Sequence, residues 1–305
     1  MSQTLVRVCH SACVSETSKF DVVVLGSANL DSVSTTSHLP RSGETILASD
    51  YVELPGGKGL NQAVAAARMG ARTAFIGCVG DDDAGTMLRH ILSIENVDTS
   101  QLLTVSAPTG RAFITVDGAG ENFIVVVPGA NSSVDTHSIT FPTTRVLLAQ
   151  LEIPLRTVTD AFQRARSAGT LTVLNPAPAT PLSRSLLSLC DFIVPNESEC
   201  AQLDGSQALL HAGASNVITT LGEKGAEIRS VQSALLVSPY PVSVVDTVGA
   251  GDAFIGAFCA EISRGTAVHR AVTIASVAGA LATTTRGAVQ SLPTRTEVEA
   301  HLRNL

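Results

Sequence analysis

The chain has 305 residues, of which 45% are hydrophobic and 15% charged, and its 20 basic and 27 acidic residues give a formal net charge of −7. A chain with this length and aliphatic content can bury a large core, which excludes global disorder. The acidic balance argues against a nucleic-acid or anionic-membrane surface, and no apolar run approaches the roughly 20 residues that span a bilayer.

The beginning of the sequence is polar and has a mixed composition. We expect residues 1–19 to form a flexible N-terminal extension, because they lack the apolar core of a secretory signal. The only close cysteine pair, Cys9 and Cys13, has neither Cys-x-x-Cys spacing nor a metal-binding pattern with histidine. We therefore expect a reduced, cytoplasmic protein that uses its cysteines as small hydrophobic residues.

From residue 20 onward, short apolar runs alternate with helical patterns. The predicted strands cover residues 20–25, 71–78, 145–151, 171–174, 192–194, 215–221 and 242–245. The predicted helices cover residues 59–69, 83–94, 154–168, 183–189, 249–264 and 267–283. This alternation predicts an α/β fold with a doubly wound, mostly parallel sheet and helices on both of its faces.

Two segments interrupt the alternation of strands and helices. Residues 32–51 combine turn residues with alternating apolar positions, and residues 109–127 have the pattern of a β-hairpin. We expect them to form a small separate sheet, a candidate lid, with strands inserted at about 30–53 and 109–127. The remainder of residues 20–305 then forms one α/β domain.

The loop at residues 246–252 carries the strongest chemical signal. Its sequence, Asp-Thr-Val-Gly-Ala-Gly-Asp, lies between a predicted strand and a predicted helix. Such a turn presents backbone N–H groups at the positive end of a helix, where they can bind an anion. Asp252, in the first helical turn, can then act as a base on a hydroxyl that attacks a bound phosphate. The structural alternative is a tight turn with an ordinary acidic residue at a helix N-terminus.

Polar residues also follow the first strand and precede the first helix. Asn29 and Asp31 are two residues apart on a predicted extended segment, so their side chains face one side and suit a polyol; an Asx-rich turn is the alternative. The Gly-Gly-Lys-Gly turn at residues 56–59 lacks the spacing of a P-loop. We expect its glycines to allow close approach to a small ligand, and Lys58 and Asn61 to donate to hydroxyls.

Together, these motifs resemble the two signatures of the ribokinase (phosphofructokinase B) family of sugar kinases. The signatures are Gly-Gly-Lys-Gly-x-Asn at residue 56 and Asp-Thr-x-Gly-Ala-Gly-Asp at residue 246, and the resemblance extends from Phe20 to Leu302. It implies one doubly wound domain with a small β lid and an ATP-dependent sugar kinase activity. Within the family, the Asn-Pro-Ala-Pro-Ala segment at residue 175 favours D-ribose, phosphorylated on its 5-hydroxyl.

The resemblance also implies a role for individual residues. Asp252 would be the base, with the anion hole formed by the amides of Gly249, Ala250, Gly251 and Asp252. The sugar would be held by Asn29, Asp31, Gly57, Lys58, Asn61, Glu152 and Asp252. The nucleotide would lie along Asn196, Thr220, Gly222 and Gly251.

Two cations are implied by the same resemblance. Glu199 would help to place Mg²⁺, through water. Potassium would be bound by Asp246 together with oxygens from Val248, Thr285, Gly287 and Ser291. The sequence leaves a second arrangement open, in which Arg286 pairs directly with Asp246 and no cation is needed.

Some properties of the chain stay open at this level. Other sugars of the family, namely deoxyribose, fructose, 2-keto-3-deoxygluconate or a nucleoside, are alternatives to ribose, and so is a catalytically silent binding protein. The family resemblance also implies a homodimer formed through the lid strands, for which Phe113, Ile114, Phe123 and Val125 could supply apolar surface.

Overall fold

The structure is a computed structural model that describes residues 18–303. These residues form the following strands: β1 Phe20–Leu25, β2 Asn29–Thr35, β3 Asp50–Gly56, β4 Thr73–Gly80, β5 Val97–Val105, β6 Gly110–Val116, β7 Asn122–Val127, β8 Thr144–Ala149, β9 Leu171–Leu174, β10 Phe192–Ile193, β11 Asn216–Thr220, β12 Ala226–Ser230 and β13 Ala234–Val237. The helices are α1 Lys58–Arg68, α2 Asp83–Ile94, α3 Leu155–Ser167, α4 Arg184–Leu187, α5 Glu197–Gln202, α6 Ser206–His211, α7 Ala250–Ser263, α8 Val268–Ala282 and α9 Arg295–Leu302. No helix within 18–303 is long and apolar enough to cross a membrane.

A nine-stranded sheet forms the centre of the molecule, in the order β13-β12-β11-β10-β9-β8-β1-β4-β5. The strands from β11 to β5 are parallel, and β12 and β13 form an antiparallel hairpin at one edge. The α/β class with a mostly parallel sheet is therefore confirmed. The carboxyl ends of the parallel strands meet at one edge of the sheet, which is where open α/β sheets bind ligands.

Helices cover both faces of this sheet, because its strands are apolar on both sides. Alternate residues of β1 enter two different cores: Val22 and Val24 pack with α1, α7 and α8, and Val23 and Leu25 pack with α3, α4 and α6. This division follows from the two-residue period of a strand. Because both faces of β1 are buried, its sequence is continuously apolar rather than alternating between apolar and polar residues.

The smaller sheet has four strands in the order β3-β2-β6-β7. β2 and β6 are parallel, whereas β3 and β7 pair antiparallel at the two edges. β2 begins only a few residues after β1 ends, and β3 runs directly into α1. The chain therefore leaves the central sheet beside the predicted site, forms β2 and β3 of the smaller sheet and returns beside the same site.

One predicted strand is wrong. Residues 242–245 form an irregular segment with no strand neighbour, and their end is held by the N–H groups of Val245 and Asp246, which donate to the Thr283 carbonyl. The β-branched residues favour a strand locally, but the sheet already ends at β13. The predicted extension at residues 1–19 and the cysteine pair lie outside the described residues, except for the last two positions of the extension.

Candidate active site

The glycine loop at residues 246–252 ends in the N-terminus of α7. Gly249 caps this helix with φ of 79°, and an added Cβ would lie 3.0 Å from neighbouring backbone, so the turn requires glycine. The N–H groups of Gly251 and Asp252 have no acceptor among residues 18–303. Unpartnered N–H groups at the positive end of a helix form a site for an anion.

Asp252 lies beside these N–H groups, and two amide side chains of α1 hold its carboxylate. Asn61 Nδ2 donates to Asp252 Oδ2 at 2.9 Å, and Gln62 Nε2 donates to Oδ1 at 2.8 Å. Burial raises the pKa of the Asp252 carboxyl, although Lys58 and the two amide donors favour its charged form. A carboxylate with a raised proton affinity and a fixed orientation is suited to act as a base.

The glycines of the first signature serve packing within the protein. Gly57 has φ of 89°, and a Cβ at Gly59 would lie 2.6 Å from the backbone nitrogen of Ser27. The N-terminus of α1 therefore presses against the backbone between β1 and β2. The close packing of Gly57 and Gly59 on protein backbone gives these glycines a structural reason of their own, and the approach of a small ligand to the turn stays a prediction.

Glu152 links the turn before α1 to the end of the central sheet. Its Oε2 atom accepts a hydrogen bond from the Ser27 hydroxyl and another, at 3.0 Å, from the backbone N–H of Lys58. No donor among the described residues contacts the other carboxylate oxygen, Oε1. Glu152 therefore fixes the turn with one oxygen and keeps the second available as an acceptor.

The two polar residues of β2 differ in their surroundings. Asn29 is buried, and its Oδ1 atom accepts from Asn131 Nδ2 at 2.7 Å, which leaves its own amide N–H groups to donate. Asp31 lies against Gly56, where an added Cβ would come within 2.0 Å of its carboxylate. One side of β2 thus offers a donor at Asn29 and an acceptor at Asp31.

Negative charge is concentrated around the Lys58 side chain. Burial, and after it the charges of Glu152 and Asp252, together raise the pKa of Asp31 to about 7. Burial alone would lower the pKa of Lys58, but Asp252, Glu152 and Glu199 together raise it. Lys58 is therefore a cation that neutralises carboxylates on several elements.

Two adjoining cavities open at the carboxyl edge of the sheet. The first, of about 210 Å³, contains Lys58, Asn196, Glu199, Thr220 and Asp252 in its wall. The second, of about 490 Å³, is mainly apolar and meets the first at Thr220, Thr247 and Gly251. Its wall is formed by the following residues among others: Gly222, Tyr240, Val242, Val244, Phe254 and Ala280. The apolar segment at 242–245 therefore lines a cavity rather than a sheet.

Asn196 and Glu199 form a capping box at the start of α5. Asn196 Oδ1 accepts from the Glu199 N–H at 2.7 Å, and Glu199 Oε2 accepts from the Asn196 N–H at 2.9 Å. Burial raises the pKa of Glu199, against the Asn196 bond and the Lys58 charge, which lower it. Among residues 18–303, no three His, Cys, Asp or Glu side chains cluster as ligands for a metal ion.

Asp246 lies in a backbone cradle before α7. Its Oδ1 atom accepts from the Val248 N–H and its Oδ2 atom from the Gly287 N–H, each at 3.0 Å. The Ser291 hydroxyl is buried and donates to the Ala288 carbonyl at 2.9 Å. No salt bridge between Arg286 and Asp246 occurs in the described part of the chain, so the direct pairing considered from sequence is not observed.

The structure brings most of the predicted site residues to one edge of the sheet. Of the predicted anion-hole amides, the Ala250 N–H is directed at the Thr247 carbonyl, at 3.3 Å. Sequence reasoning assigned no role to several buried amides that support the site: Gln62, Asn131, Gln150 and Asn175. The sequence did contain a signal for Gln62: an amide within an apolar segment is costly to bury unless it has hydrogen-bond partners, so its presence there indicates a partner in the fold.

Residues 19–295 match the pfkB family of carbohydrate kinases. The ribokinase of Haemophilus influenzae is 39% identical over 294 residues, which cover 90% of this chain and 96% of that protein. The ribokinase structure of Thermotoga maritima has a TM-score of 0.88 at 34% identity and covers 93% of this chain and 100% of its own. The structure of Arabidopsis thaliana ribokinase complexed with ribose and ATP has a TM-score of 0.86 at 30% identity, with coverages of 93% and 99%. The chain therefore belongs to the pfkB family of carbohydrate kinases.

Proposed function

We propose that this protein is a ribokinase, which transfers the γ-phosphoryl group of ATP to the 5-hydroxyl of D-ribose. The observation that carries the proposal is the position of Asp252. Its carboxylate is held by two amides beside unpartnered N–H groups of α7, at the junction of a polar and an apolar cavity. The sequence identity to ribokinases over nine-tenths of the chain supports ribose as the acceptor.

In this proposal, Asp252 accepts the proton of the sugar hydroxyl as its oxygen attacks the γ-phosphorus. The bond from the γ-phosphorus to the bridging oxygen breaks, and ADP leaves with that oxygen. The Gly251 and Asp252 N–H groups, with that of Gly249 in the same loop, stabilise charge on the transferring group. The Ala250 N–H, predicted for the same hole, would have to leave the Thr247 carbonyl to contribute. The α7 dipole adds to this stabilisation.

The sugar is proposed to bind between β2, the turn before α1 and Asp252. Asn29 would donate to one sugar hydroxyl, and Asp31 would accept from another. The remaining contacts are assigned to Gly57, Lys58, Asn61 and Glu152. The free Glu152 oxygen and the unpartnered, buried Asn61 Oδ1 atom support this assignment, because buried acceptors without a donor are costly.

The nucleotide is proposed to extend from the anion site into the larger cavity. Asn196 and Thr220 would flank the phosphates, and Gly222 would lie along the ribose. The apolar wall with Val244 and Phe254 offers a surface on which a flat base can pack. In this proposal the larger cavity binds the base through apolar contacts, whereas the polar cavity holds the groups that take part in phosphoryl transfer.

Two cations belong to the proposal. The second Glu199 oxygen would bind Mg²⁺ through water, and the phosphates would supply the inner ligands, which agrees with the lack of a three-residue ligand cluster in 18–303. Asp246 would bind K⁺ with oxygens of Val248, Thr285, Gly287 and Ser291. The support for this site is the Asp246 carboxylate, which has no basic partner among residues 18–303 and is held beside the loop by the Val248 and Gly287 N–H groups. When bound, these ions supply positive charge next to the phosphates and the anion loop.

The test is a set of purified sugars assayed with ATP and Mg²⁺, together with the Asp252→Asn variant. We expect the highest kcat/KM with D-ribose. Asp252→Asn should lower kcat by roughly 10²- to 10⁴-fold, because it keeps the shape but removes the proton acceptor. Nucleotide binding, measured by calorimetry, should be retained.

Three results would contradict the proposal. A preference for deoxyribose, fructose, 2-keto-3-deoxygluconate or a nucleoside would keep the kinase and replace the substrate. Near wild-type turnover of Asp252→Asn would remove Asp252 as the base. A protein that binds sugar and ATP without any turnover would be the catalytically silent binder instead.

Location and assembly complete the proposal. We assign the enzyme to the reducing cytoplasm, which agrees with the four cysteines that the structure describes, since each is a buried free thiol. We also propose a homodimer that forms through the lid sheet. Its support is the exposed apolar surface of β7 and β6, including Phe113, Phe123 and Val125.

A further inference from the structure

Three buried amide side chains form a hydrogen-bonded chain that ends at the Asp252 carboxylate, and the proposed function assigns no role to the chain as a whole. Gln62 belongs to α1, Gln150 directly follows β8 and Asn175 directly follows β9. Gln62 and Gln150 are 0% exposed, and Asn175 is 5% exposed. Amides buried this deeply in an aliphatic core are costly unless their hydrogen bonds are arranged with care.

A backbone carbonyl determines which end of each amide donates and which end accepts. The Val194 carbonyl can only accept, and Asn175 Nδ2 donates to it at 3.0 Å. Asn175 must then present Oδ1 to Gln62, whose Nε2 atom donates to it at 3.0 Å. The second N–H of the same nitrogen donates to Asp252 Oδ1 at 2.8 Å.

The other end of the Gln62 amide is also fixed. Gln150 Nε2 donates to Gln62 Oε1 at 2.5 Å, so a rotated Gln62 amide would oppose donor to donor. Gln150 itself occupies the space left by Gly26, where an added Cβ would lie 2.1 Å from its Oε1 atom. Asn175 Oδ1 and the Asp252 carboxylate both require a donor, so the Gln62 amide has one allowed orientation. Gln150 supports this orientation through its nitrogen, while its own Oε1 atom has no partner among residues 18–303.

We propose that Gln62 is a positioning residue for phosphoryl transfer, which holds Asp252 as a hydrogen-bond acceptor through a relay that runs from the Val194 carbonyl and is locked by Gln150. The inference rests on the proposed role of Asp252 as the base. With one amide on each oxygen, the carboxylate cannot rotate, and its remaining lone pairs are directed at the sugar hydroxyl. Preorganisation of this kind lowers the barrier without any contact between Gln62 and the substrate.

The charged groups around Asp252 set the background for a test by pH. Lys58 of α1 favours its ionised form and Glu152 opposes it, while Asp31 of β2 and Glu199 of α5 also face the same cluster. None of these groups changes when Gln62 is replaced. A neutral donor to a carboxylate favours the charged form, so its loss should move proton uptake by Asp252 to higher pH.

The experiment measures kcat against pH, at saturating ribose and ATP, for Gln62→Met and Gln62→Glu. Methionine keeps the size and removes the donor, and glutamate keeps the acceptor for Gln150 but places a carboxyl against Asp252. Both variants should lower kcat at pH 7 by roughly 10- to 100-fold, the effect of losing a hydrogen bond to a charged group. The acid limb of the kcat profile should move to higher pH, and both KM values should stay within about threefold.

Asn216→Ala is the matched control, because Asn216 is a buried amide of β11 that donates to the Asp191 carbonyl, outside the relay. It should lower thermal stability without moving the acid limb. Gln150→Leu keeps Gln62 but removes the donor to its Oε1 atom. This variant should move the acid limb of the kcat profile to higher pH, by a smaller amount than Gln62→Met does. If Gln62→Met fails to fold, the pH profile of Gln150→Leu tests the amide relay in its place.

Two outcomes would overturn the inference. One is an acid limb and kcat unchanged in the folded Gln62 variants, and the other is a loss of kcat by the same factor at every pH. Both failures are distinguishable from failure of the proposed function. An inactive Asp252→Asn beside a wild-type-like Gln62→Met would remove the relay alone, whereas an active Asp252→Asn would remove the base.

Discussion

Asp31 illustrates how the site uses burial to change the chemistry of one side chain. Its carboxyl lies in a partly closed space, and the pKa is raised from 3.8 to about 7, first by burial and then by the charges of Glu152 and Asp252. The folded protein therefore binds a proton here that the unfolded chain has already released. Between pH 3.8 and about pH 7, the contribution of Asp31 to the free energy of unfolding therefore decreases as the pH rises.

This shift predicts how sugar binding depends on pH. The ionised form of Asp31 is the stronger acceptor, so the ribose KM should fall as the pH rises from 6 to 8. Asp31→Asn should raise the ribose KM by roughly 10- to 100-fold, change the ATP KM by less than about twofold and abolish this pH dependence. The measurement is the KM of each substrate at several pH values.

Although Asp31→Asn should weaken ribose binding, it should stabilise the folded protein. Asp31→Asn should raise the thermal midpoint of the sugar-free protein at pH 8, because it removes a buried charge from a cluster of carboxylates. A parallel rise of both KM values, or a KM for ribose that still varies with pH, would show that Asp31 is structural.

At the scale of elements, the irregular segment between β13 and α7 has two functions that a strand could not combine. Its valines line the larger cavity, and its end at Asp246 joins the cradle formed by the Val248 and Gly287 N–H groups. The loop that carries the anion site therefore depends on how the Asp246 charge is balanced. A carboxylate near a phosphate site opposes anion binding unless a cation compensates it.

The potassium site predicts a salt effect on turnover. Replacing K⁺ by Na⁺ at constant ionic strength should lower kcat several-fold, because the smaller ion would fit less well among the oxygens that we propose as its ligands. Asp246→Ala should lower kcat in both salts and remove the difference between them. Arg286→Ala is the control, since Arg286 makes no described salt bridge with Asp246, and it should keep the K⁺ preference. Equal wild-type rates in the two salts would contradict the site.

Sequence reasoning succeeded where local patterns and tertiary packing agree. β1, α2 and β9 have the predicted bounds, because caps, turns and apolar periodicity define them locally. β5, β12 and β13 were not predicted, and the strand at 242–245 was predicted wrongly. Their half-exposed or mixed sequences give no clear period, so neighbouring strands decide the outcome.

The candidate site follows the same rule. The proposed base and several proposed substrate contacts belong to two short motifs, at residues 56–61 and 246–252, and the structure brings these motifs together at one edge of the sheet. The amide relay joins Gln62 to residues 88 and 113 positions away in the sequence, and only the fold brings these together. No local pattern carries the direction of a hydrogen bond between such distant side chains.

At the scale of the whole molecule, the smaller four-stranded sheet, which we propose as the lid, leaves apolar side chains exposed. Its edge strand β7 is exposed at all six positions and pairs with a neighbour on one side only. Phe113, Phe123 and Val125 lie on one face and are exposed, and an exposed edge strand with such apolar side chains favours pairing with another chain. A symmetric dimer would cover this face on both copies at once.

The dimer predicts that one charge on β7 separates the copies. Phe123→Lys should shift the protein from dimer to monomer in analytical ultracentrifugation, because a buried lysine without a partner is costly. Leu236→Lys is the matched control: Leu236 also lies on an edge strand, β13 of the central sheet, and is 61% exposed against 60% for Phe123. The control should remain dimeric, since the proposed interface involves the lid alone. A monomeric wild type, or dissociation of both variants to the same extent, would exclude assembly through the lid.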